Sequence, residues 1–330
     1  MSSYQKLSDK KVLITGGAGF IGSNLCESFL QSGNEVICLD NLSTGYKRNI
    51  EPLLNSAAFQ FVEGDIRDYD TCKEVIGQVD VVLHQAALGS VPRSINDPIT
   101  SNSVNIDGFL NILQAARETG LERVVYAASS STYGDSTALP KVEENIGKPI
   151  SPYAVTKYVN ELYANVFSNL FGLKLIGLRY FNVFGRKQTP DGAYAAAIPK
   201  FTKALIEHKS PLIHGDGLQT RDFTYIDNVI QINHLAASTE NPDAFNNVYN
   251  VAFGERTSLL QLIEVIKDSL AKFDAKIAEV SIEHGPPREG DVRDSLADIS
   301  KAKKLLGYAP EYSLEDGIGE AIDWYWQSLK

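Results

Sequence analysis

The chain has 330 residues, 43% of them hydrophobic and 22% charged, which suits one large domain with a smaller lobe, or two domains, and leaves no segment polar or repetitive enough for disorder. Its formal net charge of -10 disfavours nucleic acid and anionic membrane surfaces as partners, both being repelled at long range, so an anionic substrate needs local cations. Met1 to Lys10 lacks the apolar core of a signal peptide and no later run approaches the roughly 18 residues of a membrane span, so the protein reads as soluble and cytoplasmic.

From Lys11 to about Arg179, short apolar runs alternate with amphipathic stretches: Val12 to Ile14, Val36 to Leu39, Phe59 to Val62, Val79 to His84, Val124 to Ala128 and Leu173 to Leu178. This alternation predicts an α/β fold, a parallel sheet wound on both faces by crossover helices. Between the first two runs, Ile21, Leu25, Cys26, Phe29 and Leu30 recur at helical spacing, and Gly33 supplies a stop. After Arg179 the rhythm breaks into Gly- and Pro-containing loops at Asn182 to Pro190, Pro211 to Gly217 and Gly285 to Gly290. Helical patterns return at Leu259 to Phe273 and Leu314 to Leu329, and Val248 to Val251 reads as a strand. Cys26, Cys38 and Cys72 form no close pair and read as buried thiols, and the five histidines have no ligand spacing, so no metal site is expected.

Gly16-Gly17-Ala18-Gly19-Phe20-Ile21-Gly22 follows the first strand and opens the first helix, so its N–H groups and the helix dipole can face a pyrophosphate. Asp40 closes the second strand about 20 residues later, where a carboxylate can bind both ribose hydroxyls. A lone glycine motif often means only a tight turn, but strand, helix and acid on the correct sides predict a Rossmann dinucleotide site. Asp40 would repel a 2′-phosphate, favouring NAD over NADP, although Lys47 and Arg48 keep the alternative open. Asp65-Ile66 can hold the adenine edge, and Gln85-Ala86-Ala87 gives close backbone approach to the cofactor. The expected division is an NAD-binding Rossmann domain over 1–181, with 222–250 returning to it, and a smaller C-terminal α/β substrate lobe over 182–330.

Tyr153 and Lys157 lie four residues apart, on one face of a helix predicted to start near Ser151. That pair alone is commonplace. Ser129-Ser130-Ser131, however, ends the fifth strand, where strand C-termini meet the ligand crevice, so hydroxyl, phenol and ammonium can converge. A free tyrosine titrates near 10, and lowering it by ~3 units needs about 4 kcal/mol, which the ammonium and a positive nicotinamide ring can supply in a water-poor cleft.

These residues resemble the extended short-chain dehydrogenase/reductase superfamily, over nearly the whole chain from Lys11 to about Tyr325. His84-Gln85-Ala86-Ala87, Ser151-Pro152-Tyr153, Arg179-Tyr180-Phe181-Asn182-Val183-Phe184-Gly185 and Arg221-Asp222-Phe223 look like nucleotide-sugar 4-epimerases. Leu88-Gly89-Ser90-Val91-Pro92-Arg93-Ser94 and Gly192-Ala193-Tyr194-Ala195-Ala196 look like bacterial UDP-N-acetylglucosamine 4-epimerases.

The resemblance implies that Tyr153 removes the sugar's 4-hydroxyl proton while NAD takes the carbon-4 hydride, and that the 4-keto sugar turns over before the hydride returns. It implies further that Lys157 binds the nicotinamide ribose and that Ser129 or Ser130 orients the 4-hydroxyl. Asn41, Ser43, Thr44, Gly45 and Val183 would join the cofactor contacts. Asn182, Arg221, Arg288 and Asp291 would grip nucleotide and diphosphate, and Gly89, Ser90 and Ala196 would line the sugar pocket. Ser295 would gate the sugar's 2-position, leaving room for an N-acetyl group. A homodimer is implied as well, packing the helices around Asn102 to Thr119 and Ser151 to Phe171 into a four-helix bundle through Val104, Phe109, Ile112, Leu113, Tyr158, Leu162 and Phe167. The expected activity is therefore epimerisation of UDP-N-acetylglucosamine, with UDP-glucose or UDP-uronic acids as further substrates.

A 4,6-dehydratase would need an Asp-Glu pair where this chain has Ser130-Ser131. A decarboxylase or a uronic-acid epimerase could meet an extra substrate carboxylate with the serines or Arg93. A catalytically silent NAD-binding module is the reading from another class, and it fits poorly with intact Tyr153, Lys157 and serines.

Overall fold

The computed structural model describes residues 4–190, 196–286 and 293–330. Seven parallel strands build the central sheet: β1 (Lys11–Thr15), β2 (Glu35–Asp40), β3 (Phe59–Glu63), β4 (Val81–His84), β5 (Arg123–Ser129), β6 (Lys174–Tyr180) and β7 (Asn247–Val251). Their spatial order is 7-6-5-4-1-2-3. The order therefore reverses between β1 and β4, and in doubly wound sheets that switch opens a crevice at the strand C-termini. The last strand is far away in sequence, yet β7 pairs with β6 from Asn247 opposite Ile176 to Val251 opposite Tyr180.

Both sheet faces are covered, so β1 is buried at consecutive residues rather than alternate ones. Val12 and Ile14 meet Leu25 and Phe29 of α1 (Phe20–Gln31) and Ile226 to Ala237 of a later helix, α6 (Ile226–Ser238). Leu13 faces the other way, toward α2 (Tyr69–Ile76), α3 (Gly108–Thr119) and α4 (Pro152–Phe171). Each large apolar side chain withdrawn from water here is worth about 1.5–3 kcal/mol. Helix boundaries follow local chemistry. Ser151 caps α4 by accepting from the Ala154 N–H at 3.1 Å, Pro152 takes the first turn, and Gly172 ends it at φ +74°.

Beyond the sheet, α5 (Ala197–Ile206), α7 (Leu259–Leu270) and α8 (Leu314–Leu329) pack on one another. Three short strand pairs knit the loops among them: 183–184 with 224–225, 220–221 with 257–258, and 212–214 with 283–285. Ser313 and Asp316 form a reciprocal capping box that starts α8.

One expectation needs correction: Phe109, Ile112, Leu113 and Phe167 are buried against the sheet and offer nothing to a partner. Cys26, Cys38 and Cys72 are buried free thiols, as expected, and the fold brings Cys26 and Cys38 together beneath the glycine loop, where a side chain on Gly17 would meet both sulfurs. Among the described residues no helix is long and apolar enough to cross a membrane.

Candidate active site

A cavity of about 720 Å³ opens along the C-terminal ends of β1, β2, β3, β4 and β5. Its floor at β1 is backbone. A Cβ at Gly16 would stand 2.8 Å from the Ala86 main chain, and one at Gly22 would stand 2.1 Å from the Gly16 carbonyl, so neither position admits a side chain. Gly19 precedes α1 and no side chain caps that helix, leaving first-turn N–H groups directed at the cavity that Gly16, Gly19, Phe20, Ile21 and Gly22 line. Asp40 accepts from the Ala18 N–H at 2.9 Å and the Leu42 N–H at 2.8 Å, one bond per oxygen. Burial pushes its carboxyl up, with those N–H groups opposing. Asp40 lines the cavity at the end of β2, where a carboxylate can accept from a ribose diol. The cradle and the acid together fit NAD.

Asn41, Ser43, Thr44, Asp65, Ile66, Gln85, Ala86 and Ala87 also line the cavity. The Asp65 carboxylate is occupied: Arg67 pairs with it at 2.7 Å and Asn41 donates to it at 2.8 Å, which lowers it to about 2. Gly45 and Val183 are not in the walls. A Cβ on Gly45 would touch Asp40 Oδ1 at 3.0 Å, so this glycine permits the loop to close on Asp40.

At the other end Ser129, Tyr153 and Lys157 share the wall. Lys157 Nζ donates to the Ala127 carbonyl at 2.8 Å, and burial lowers it to about 8 with Glu161 opposing. Burial pushes the Tyr153 phenol up, and its hydrogen bond with Ser129 pulls the other way. The expected depression of the phenol is thus not produced by the chain alone, because desolvation outweighs what surrounds the oxygen. Ser129 Oγ is held by the Ser131 N–H at 3.1 Å and the Ser131 hydroxyl at 2.9 Å, whereas Ser130 does not line the cavity.

Several residues in the walls were not expected as site residues: Tyr46, Leu88, Tyr180, Gln188 and Thr189, together with Val104, which was expected at a partner surface and stands in the cavity wall instead. Gln188 donates to the Val183 carbonyl at 3.0 Å, and its buried Oε1 has no partner among the described residues. Asn105 is a further brace. Residues 103–107 form a widened π-helical turn, and from it Asn105 accepts from Leu88 N–H at 2.8 Å and donates to Thr156 at 3.1 Å. Such turns recur at functional sites, but nothing in the local sequence announces one.

Gly89, Arg93 and Ala196 also line the cavity. Ser90 does not; it adopts φ +144° and caps the short helix Val91–Asn96 by accepting from Arg93 N–H at 3.2 Å. Asn182, Arg221 and Ser295 also stand outside the walls, joined through main-chain contacts: Asn182 donates to the Asp222 carbonyl at 2.9 Å, Arg221 to the Thr220 carbonyl at 2.9 Å, and Ser295 N–H to the Thr220 carbonyl at 3.2 Å. Arg288, Asp291 and Gly192 to Ala195 lie outside the described residues. Among the described residues no cluster of His, Cys, Asp or Glu is placed to hold a metal.

A family model described as the NAD dependent epimerase/dehydratase family matches residues 12–252. The chain belongs to this family. Among relatives of the family, a putative UDP-glucose 4-epimerase of Methanocaldococcus jannaschii is 37% identical over 315 residues, 95% of this chain and 97% of the relative. Two solved members superpose closely. The UDP-N-acetylglucosamine 4-epimerase of Methanobrevibacter ruminantium M1, in complex with UDP-N-acetylmuramic acid, is 36% identical with a TM-score of 0.90, covering 97% of this chain and 99% of that one. The UDP-glucuronic acid 4-epimerase of Bacillus cereus, in complex with UDP-glucuronic acid and NAD, is 32% identical with a TM-score of 0.86, covering 96% and 99%. This family member uses NAD.

Proposed function

We propose that the chain catalyses 4-epimerisation of a UDP-sugar, with UDP-N-acetylglucosamine as the substrate. The observation that carries the reading is the meeting of Ser129, Tyr153 and Lys157 in one wall while, among the described residues, the only acids in the walls are Asp40 at the end of β2 and Asp65 just beyond β3. The reaction therefore has a base and an orienting hydroxyl, and it lacks the carboxyl pair that a 6-hydroxyl elimination needs. Two buried acids outside the walls are committed elsewhere: Glu161 pairs with Arg179 at 2.7 Å, and Glu143 accepts from Asn250 N–H at 2.8 Å.

Bound NAD supplies the hydride acceptor and a positive ring beside the phenol. The cradle from Gly16 to Gly22 and Asp40 would hold its pyrophosphate and ribose, with Lys157 on the nicotinamide ribose. Tyr153 then takes the proton of the sugar's O4 while Ser129 fixes that hydroxyl in place. The 4-keto sugar turns about its diphosphate, so that C4 would take its hydride back from the reduced cofactor on the other face while Tyr153 returns the proton to O4.

Small residues at the sugar end support the acetylated substrate. Gly89 has nothing within 4 Å of where a Cβ would be, and Ala196 shares the wall. Arg93 in the same wall favours a second reading, a UDP-uronic acid whose carboxylate it would pair. Incubation with UDP-N-acetylglucosamine, UDP-glucose and UDP-glucuronate separately, with products resolved by NMR, tests both. An inverted C4 centre in the acetylated sugar is expected, and elimination or decarboxylation products overturn the reading.

The proposal includes a homodimer. Its surface is an exposed stripe on α4, with Leu162 49%, Val166 47% and Leu170 69% exposed at four-residue spacing, flanked by Ile99 at 82%.

A further inference from the structure

Asp222 is fully buried, between Arg221 and Phe223. Its Oδ1 accepts from the Phe253 and Gly254 N–H groups at 3.2 and 3.3 Å, and its Oδ2 accepts from the Ala297 N–H at 3.1 Å. Its main-chain carbonyl accepts from Asn182 Nδ2 at 2.9 Å. One residue thus joins four stretches of chain far apart in sequence. Among the described residues the carboxylate makes no ion pair, and burial pushes it up to about 7 against the N–H groups of Ala297, Gly254, Phe253 and Glu255. A fold that keeps an uncompensated acid at such a point uses its acceptor capacity, since a carboxylate can take N–H groups from two directions at once.

The segment held through Ala297 is the one carrying Ser295. It is stitched to the Arg221 strand by Thr220 N–H to the Arg293 carbonyl at 3.0 Å, by Ser295 N–H to the Thr220 carbonyl at 3.2 Å, and by Thr220 Oγ1 to Asp294 at 2.7 Å. Arg221 itself donates to the Arg293 carbonyl at 3.1 Å. We propose that Asp222 is a positioning residue for the UDP-sugar: its carboxylate sets segment 293–298 against Asn182 and Arg221, so that the nucleotide-diphosphate meets these groups already in register. This rests on the UDP-sugar reading above. Asp222 touches neither sugar nor cofactor in this account, and it acts through the segments it joins.

Asp222→Asn keeps the shape but turns an NH2 toward one of the N–H donors. With NAD-loaded protein, titration calorimetry against UDP alone, the KM and kcat for UDP-N-acetylglucosamine, and NAD affinity separate the roles. The expected result is a UDP Kd and KM raised at least ~10-fold, with kcat within ~3-fold and NAD affinity unchanged. Thr220→Val, which removes only the bond to Asp294, should shift UDP affinity in the same direction by ~3-fold, and it carries the test if Asp222→Asn does not fold. Variants that bind UDP like the wild type, or that lose NAD and UDP affinity together, overturn the proposal while leaving the UDP-sugar reading in place. Wild-type protein that ignores UDP overturns both.

Discussion

Lys157 donates its ammonium to the main-chain carbonyl of Ala127 at 2.8 Å, which pins the helix bearing Tyr153 to the strand that ends in Ser129. Burial holds this lysine at about 8 instead of its ordinary 10.5, so the folded state carries a charge that the unfolded state holds more easily. The lysine's contribution to stability is fully present above about pH 10.5 and is lost as pH falls through about 8. The cost at pH 7 is on the order of 3 kcal/mol. Lys157→Met should therefore raise the stability of the cofactor-free protein at pH 7 by about 1–3 kcal/mol in urea unfolding, an advantage that vanishes near pH 10.5, while turnover falls. A variant less stable than wild type at pH 7 would show that the bond to Ala127 outweighs the buried charge.

Tyr153→Phe should keep NAD and UDP binding and lose at least ~100-fold in kcat, the scale of general-base catalysis. Ser129→Ala should lose at least ~10-fold, because its hydroxyl meets Tyr153, whereas Ser130→Ala should stay within ~3-fold. Steady-state kinetics decide the pair, and a larger loss from Ser130→Ala would reverse the assignment.

We propose Ser295, on the resemblance, as the gate beside the sugar's 2-position; Ser295→Tyr should then reduce turnover of UDP-N-acetylglucosamine by ~10-fold or more through overpacking, while UDP-glucose turnover is kept. Ser295 lies outside the cavity walls, joined to Thr220 through its N–H, so its side chain remains the variable that this substitution probes. An unchanged ratio of the two substrates removes Ser295 as the gate.

Leu162→Glu with Leu170→Glu places two charges on the exposed stripe of α4, and light scattering at micromolar concentration should then report a monomer where the wild type is a dimer. Wild-type protein that is already monomeric ends this claim.

His234 stacks on Phe29 at 3.8 Å and its Nδ1 accepts from the Leu7 N–H at 3.3 Å, and burial lowers it to about 3. A histidine depressed in the folded state contributes stability that is lost as pH falls from 6.5 toward about 3. About 2–3 kcal/mol should go between pH 6.5 and pH 4.5. His234→Gln should flatten that part of the stability curve in urea unfolding, and an equally steep variant would assign the loss to other groups.

The sheet was legible because its strands are buried on both faces and its helices on one, two periodicities that residues 11–180 display openly. The cofactor end was legible for a related reason: Gly16, Gly22 and Asp40 act through backbone room and one charge, which sequence spacing records. The sugar end was less so. Ser90 looked like a wall residue and is a helix cap, and the apolar residues chosen for a partner, Phe109 and Ile112 among them, face the sheet. Sequence periodicity marks an apolar face without saying which surface covers it. Asn105 depends on one extra residue in a helical turn, and Gln188 on a loop with Lys187 at φ +68°, neither of which composition or spacing reveals.

Helix α8, the last element, covers apolar residues laid down much earlier. A Cβ on Gly317 would stand 2.7 Å from the Tyr225 side chain, and the Tyr325 hydroxyl donates to the Gly185 carbonyl at 3.2 Å. During synthesis the ribosome therefore releases most of the chain with Phe184 and Tyr225 still lacking the cover that Gly317 and its helix give them, so the packing of the lobe beside the sheet is completed only after residues 314–329 emerge. A premature stop before them would leave a sticky, chaperone-dependent product, even though every residue assigned to catalysis had already been translated.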